Sequence, residues 1–186
     1  EALIEVSHLS ETEKNQVLNA MKAMTQKGFR VLGVGVSDFE GTNYPATQQE
    51  LKFHFKGLVA FYDPPKENIT EVLKSFYNAG IGVKIITGDN ARTTNAIAQQ
   101  IGFKGFDKAI TGDELMKLRD SELQSKVMDI NLFSRMFPEA KLRIVNALKA
   151  NGQIVAMTGD GVNDAPALKA ADISLAMGQR GTDVAR

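Results

Sequence analysis

No cysteine occurs anywhere in the 186 residues. That excludes a disulfide framework and any thiolate metal site, and it fits a reducing compartment. Neither sign of charge dominates, since 22 Lys and Arg stand against 22 Asp and Glu. The chain therefore lacks the electrostatic footprint of a nucleic-acid binder or of a protein that rests on an anionic membrane. Long hydrophobic runs are missing too: the longest are strand-sized, far short of the ~20 residues a membrane helix needs. A secretory leader is not expected from the opening residues. It starts at Glu1 without a Met and stops at Arg186 just beyond a turn, as expected of a soluble piece cut from something longer. What is present is a 43% hydrophobic content, enough for the core of one large or two small domains.

The order of elements follows from periodicity and punctuation. Ser10 with Glu13 reads as a capping box, and Val17, Leu18, Met21 and Met24 follow at helical spacing up to Gly28. Phe29 to Val36 reads as a strand, residues 38–50 as a polar loop, and Phe53 to Tyr62 as a second strand. Asp63-Pro64-Pro65 is a stiff extended element and a plausible hinge. Beyond it helix and strand alternate. Asn68 is expected to cap a helix to Asn78 that Gly80 closes. Strands follow at 83–87, 109–110, 132–134, 154–157 and 173–177. Helices are predicted over 91–101, through the turns up to Met128, and over 138–150 with Pro138 at its first position. Such alternation predicts a parallel sheet covered by helices, with the active edge at the carboxyl ends of the strands.

Chemistry concentrates at those ends. The run from Met157 to Lys169 leaves an apolar strand through a tight turn that carries Asp160, Asn163 and Asp164, with Pro166 where a helix starts. Hard oxygen donors of this kind suit Mg²⁺, with phosphate and water completing its shell; the alternative is an ordinary Asp-Gly and Asn-Asp turn. Thr-Gly-Asp occurs three times, at 87–89, 111–113 and 158–160. The first and third follow apolar strands, which places Thr87, Gly88 and Asp89 on the same sheet edge as Asp160. The copy at 111–113 follows only a two-residue strand and reads as a helix cap. Lys141 lies in the first turn of the Pro138 helix, where the helix dipole disfavours a cation. It is either a solvated surface lysine or a charge that reaches a transferring phosphoryl group. Arg135, just past a strand, has the same two readings. His8 and His54 stand isolated and read as structural. Gly33-Val34-Gly35 lacks the third glycine of a dinucleotide fingerprint. Asp63 is followed by two prolines that offer no N–H groups to hold a phosphoryl group, so it reads as a hinge or supporting residue.

With those residues in hand, the chain resembles the cytoplasmic part of P-type cation-transporting ATPases, whose phosphorylation domain has a haloacid-dehalogenase-like, Rossmann-type fold. Asp63-Pro64-Pro65-Lys66 is similar to the family's Asp-Pro-Pro-Arg hinge, with Lys for Arg. Thr87-Gly88-Asp89-Asn90 resembles its phosphate-contacting turn, and Ser134 to Lys141 its segment carrying the catalytic lysine. Thr158 to Pro166 matches the magnesium signature residue for residue, and 181–186 resembles the stretch leading back to the membrane. The pattern is closest to calcium-type and related cation pumps.

The resemblance implies a role for each position. Residues 1–60 would be the C-terminal part of a nucleotide-binding domain and 61–186 a phosphorylation domain. Asp160, together with Asp164, would hold the catalytic Mg²⁺, and Asn163 and Asp164 would orient the site. Thr87, Gly88, Asp89 and Lys141 would surround the phosphoryl group. Arg30 and Arg135 would touch ATP from the two domains. The partners would be the remaining domains of the same pump on the cytoplasmic face of a membrane, with no nucleic acid. The family's Asp-Lys-Thr-Gly-Thr segment, which receives the phosphoryl group and supplies the central strand between Val83–Thr87 and Ile154–Met157, is absent. The expected consequence is an apolar gap or unpaired strand edges there, through which the piece can self-associate; on its own it would not form the phosphoenzyme. A soluble phosphatase of the same fold is the alternative, and a non-enzymatic module that binds nucleotide or a partner is a third reading.

Overall fold

The computed structural model describes residues 2–39, 42–159 and 162–176. The chain divides into two compact units, Glu1–Pro65 and Lys66–Arg186, so the boundary falls at the end of the Asp-Pro-Pro element.

The first unit contains helices α1 (Ala2–Glu5) and α2 (Glu11–Gln26) and strands β1 (Arg30–Val36) and β2 (His54–Phe61). Ser10 and Glu13 close the expected capping box on α2. Gly28, at a φ of 82°, turns the chain out of that helix. β1 and β2 pair antiparallel with a register shift between Val34 and Gly35. The short α1 was not foreseen, because four residues are too few to show a 3.6-residue period. It explains Gly33 and Gly35: a Cβ on either would stand 3.2 or 3.1 Å from the Leu3 side chain. The opposite face, with Leu32, Val34, Val59 and Phe61, is exposed.

The second unit alternates α3 (Ile69–Asn78), β3 (Ile85–Ile86), α4 (Ala91–Gln100), β4 (Ala109–Thr111), α5 (Gly112–Met116), α6 (Asp120–Lys126), β5 (Leu132–Ser134), α7 (Pro138–Ala150), β6 (Ala156–Gly159), α8 (Ala165–Ala170) and β7 (Ile173–Ala176). Its strands pair parallel in two ladders, one in the order β3-β5-β4 and the other β6-β7. This is the α/β class with a parallel sheet. The ladders are not joined: among the described residues β3 and β6 each end a ladder with one edge unpaired. That agrees with the unpaired edges expected between these two segments.

Helices cover both faces of the larger ladder, and β5 shows it residue by residue. Side chains alternate across a strand. Leu132 accordingly joins Leu73, Ala98, Ile101 and Phe103 from the side of α3 and α4. Phe133, the next residue, joins Leu115, Leu123, Val127 and Ile144 from α5, α6 and α7. A third cluster, Val145, Met157, Ala167 and Leu168, packs the smaller ladder and α8 against α7.

Three expectations need correction. β3 is two residues long rather than five, since Val83 and Lys84 have no ladder partners. β6 begins at Ala156, and Ile154 is 83% exposed. Asn68 stands at the N-cap of α3 at a ψ of 2°, and its side chain makes no capping bond. Met177 and residues 181–186 lie outside the described residues.

Candidate phosphoryl-transfer site

The carboxyl end of β3 is held by its neighbour. Thr87 donates its N–H to Phe133 O at 2.9 Å, and its own carbonyl accepts from Met136 N at 2.9 Å. The Thr87 hydroxyl accepts the Asp89 N–H at 3.1 Å and lies 3.3 Å from the Asp89 carboxylate. The carbonyl of Asp89 in turn accepts from Arg135 N at 2.9 Å. Two turns leaving adjacent parallel strands are thus laced together by main-chain bonds. Asn90 then caps α4 through Arg92 N, and Gly88 is exposed at the lip.

The Arg135 turn carries strain. Its φ of 51° makes it the single non-glycine residue with positive φ among the described residues, a conformation that costs an L-residue about 1–2 kcal/mol. Just before it, the Ser134 hydroxyl is fully buried and finds no hydrogen-bond partner. An orphaned buried group costs about 1–3 kcal/mol. Such costs gather where a surrounding structure must hold a set geometry. Nothing in the sequence signals either feature, since Ser and Arg carry no mark of the backbone they will adopt.

Lys141 is not the solvated surface lysine. Its ammonium meets Asp164 Oδ1 at 2.5 Å, and both side chains are only 11% exposed. Asp164 stands at the N-cap of α8, where an Asp ordinarily bonds to backbone N–H groups, yet it makes no such bond. Its carboxylate is committed to Lys141 instead. The pair also balances a cation placed in the first turn of α7. Gly159, the last residue of β6, makes room for this: a Cβ there would stand 2.7 Å from Asp164 Cβ and 2.9 Å from Oδ2. Lys84 is the contrasting case, a structural lysine. Burial pushes its pKa down against a smaller opposing pull from Asp129. Its ammonium donates to Met128 O, Ile130 O and Asn131 Oδ1 at 2.6–3.1 Å.

The continuous segment 133–141 therefore links Thr87, Asp89 and Arg135 to Lys141, and Lys141 to Asp164. Asn163 is exposed in the 3₁₀ turn before α8. Asp160 lies outside the described residues. Arg30, the first residue of β1, belongs to the first unit and all the others to the second. The copy of Thr-Gly-Asp at 111–113 is a helix cap, with Thr111 and Glu114 in a reciprocal capping box. The described residues contain no cluster of three or more potential metal-ligating His, Cys, Asp or Glu side chains. The donor that is described fits a hard cation, because Asp164 offers carboxylate oxygens and Lys141 occupies one of them.

A profile of the haloacid dehalogenase-like hydrolases matches residues 4–172. The chain belongs to that family. It is also 42% identical over 179 residues to "Calcium-transporting ATPase 1" of Bacillus cereus, covering 96% of this chain and 20% of that protein. It is 39% identical to "Calcium-transporting ATPase 1" of Saccharomyces cerevisiae, covering 96% of this chain and 19% of that protein. Against human "Calcium-transporting ATPase type 2C member 2" the identity is 41%, over 96% of this chain and 18% of that protein. The chain thus spans about a fifth of the length of the curated relatives it matches. No helix among the described residues is long and apolar enough to cross a membrane.

Proposed function

We propose that this chain is the part of a cation-transporting P-type ATPase that supports Mg²⁺-dependent phosphoryl transfer from ATP to an aspartate outside it. The observation that carries the reading is the diverted cap: a buried Asp164 gives up its helix for the Lys141 ammonium beside the last residue of β6. That arrangement holds a cation at the rim of a parallel sheet, where transferring phosphoryl oxygens can be met. The names of the similar pumps favour transport over the soluble-phosphatase alternative.

In this reading Asp160 and Asp164 hold the ion, with Asn163 orienting the turn. A bound Mg²⁺ would supply charge neutralisation for the γ-phosphoryl oxygens. Thr87 offers its hydroxyl and Gly88 an exposed approach to the same group. Asp89 fixes Thr87, and Lys141 neutralises charge that develops during transfer. Arg135, held in its strained turn, reaches the nucleotide from the phosphorylation domain (residues 61–186), and Arg30 from the tail of the nucleotide domain (residues 1–60). Motion at Asp63–Pro65 relays the chemistry to membrane helices of the same protein, and in this reading the chain lies on their cytoplasmic face. The unpaired edges of β3 and β6 favour self-association when the chain stands alone.

In a full-length relative, Asp160→Asn should abolish Mg²⁺-dependent phosphoenzyme formation from labelled ATP. Undiminished labelling would remove the metal assignment.

A further inference from the structure

His8 and His54 stand 46 positions apart in the sequence, yet the fold makes them neighbours. Ser7 pairs with Phe53 in an isolated parallel bridge. Phe53 N donates to Val6 O at 3.1 Å, and His8 N donates to Phe53 O at 3.0 Å. One residue further on, the register sets His8 beside His54 on the same face, because side chains alternate. Ser7, on the other face, is buried, while both histidines are exposed. The ring centroids are 5.6 Å apart with the planes tilted by 33°. His54 is fixed on its far side as well, since it pairs with Val36 of β1.

That spacing has a chemical meaning. An imidazole nitrogen binds a late first-row divalent ion at about 2.0–2.1 Å, which puts the ring centroid about 3.2 Å from the metal and two such centroids about 5–5.5 Å apart at tetrahedral to trigonal angles. The observed pair lies at the edge of that range without any movement of the backbone. Two stacked aromatic hydrocarbons would satisfy the same spacing by packing, but both histidines here are exposed.

We infer that His8 and His54 form a two-ligand site for a borderline divalent cation of the Zn²⁺, Ni²⁺ or Cu²⁺ class, with water completing the shell. It lies in the first unit and does not depend on the phosphoryl-transfer reading. Imidazole selects this class and not Mg²⁺, which wants oxygen donors. A bound ion would tie the segment between α1 and α2 to the start of β2, so it would stabilise the unit by an amount that rises with the logarithm of the free-ion concentration above Kd.

The test uses the full 186-residue chain without a polyhistidine tag, in a non-chelating buffer at pH 7.5. Calorimetry with Zn²⁺ and with Ni²⁺, run in excess Mg²⁺ to keep the carboxylate site of the second unit occupied, should give one site per chain. His8→Ala and His54→Ala should each weaken it at least tenfold, and the double variant, which has no imidazole left, should weaken it further. With Cu²⁺, the paramagnetic resonance spectrum should show hyperfine splitting from two nitrogens in the parent chain and from one at most in either variant. Asp164→Asn should leave all of this unchanged. Affinity that survives both single substitutions, or single-nitrogen splitting in the parent chain, would overturn the assignment.

Discussion

Thr87-Gly88-Asp89 and Thr111-Gly112-Asp113 leave strands on either side of β5, one at the end of β3 and the other at the end of β4. The same three residues do different work there. At 111 the threonine begins a helix: its hydroxyl accepts from Glu114 N, and its own N–H donates to the Glu114 carboxylate at 2.8 Å. At 87 the position three residues on is Asn90, which caps its own helix. Thr87 is left to fold its hydroxyl onto Asp89 and to brace the Arg135 turn with its main chain. A tripeptide seen alone therefore decides nothing. What decides is the side chain three positions later and the strand that runs alongside. The third copy, at 158–160, adds the Lys141–Asp164 pair above its glycine.

The three glycines give a graded way to break this comparison. Gly112→Ala should have the largest effect on stability, because its Cβ would meet the Arg135 carbonyl oxygen at 2.3 Å and that oxygen belongs to backbone. A loss of about 3 kcal/mol in urea unfolding is expected, at the upper end for overpacking. Gly159→Ala meets a side chain instead, Asp164 at 2.7–3.0 Å. It should push the carboxylate off Lys141 at a cost of about 2 kcal/mol, because the added methyl overpacks a flexible side chain that can yield. Lys141→Met should then add little further loss in the Gly159→Ala background, which a double-mutant cycle reads directly. Gly88→Ala has only Met136 O at 3.6 Å, an ordinary contact. Stability should shift within about 0.5 kcal/mol, and a larger loss would mean that the 87–89 turn is as structural as its twin.

Acid separates the copies by a smaller margin. The Thr111 backbone N–H, followed by its hydroxyl, holds the Glu114 carboxyl below the usual carboxylate value. A pKa lowered in the folded state gives stability that is complete above the unfolded value and is lost as pH falls through the folded one. Urea midpoints of the parent chain should therefore decline on acidification more steeply than those of Glu114→Gln. Parallel curves would show that this cap contributes nothing that protonation can remove.

Much of the fold could be read in advance. β5 and α7 fall on the expected residues, because Leu132-Phe133-Ser134 and the run from Pro138 carry unmixed signals. The ends of β3 and β6 could not be read so well. Val83 and Ile154 are as apolar as their neighbours, but whether they join a ladder depends on a partner strand that local pattern does not reveal. The same limit applied to the site. Lys141 looked equally like a surface charge, since its partner lies 23 positions away and only tertiary packing joins them. The two histidines were invisible as a pair for the same reason.

Helix α7 offers one more lesson. Ile144 and Val145 are adjacent in the chain, yet the first belongs to the core under the larger ladder and the second to the core beneath β6. A single rod is thus the party wall of two rooms that share no peptide rung among the described residues. Whatever shifts one room against the other must therefore disturb the wall, and Lys141 is mounted in its first turn.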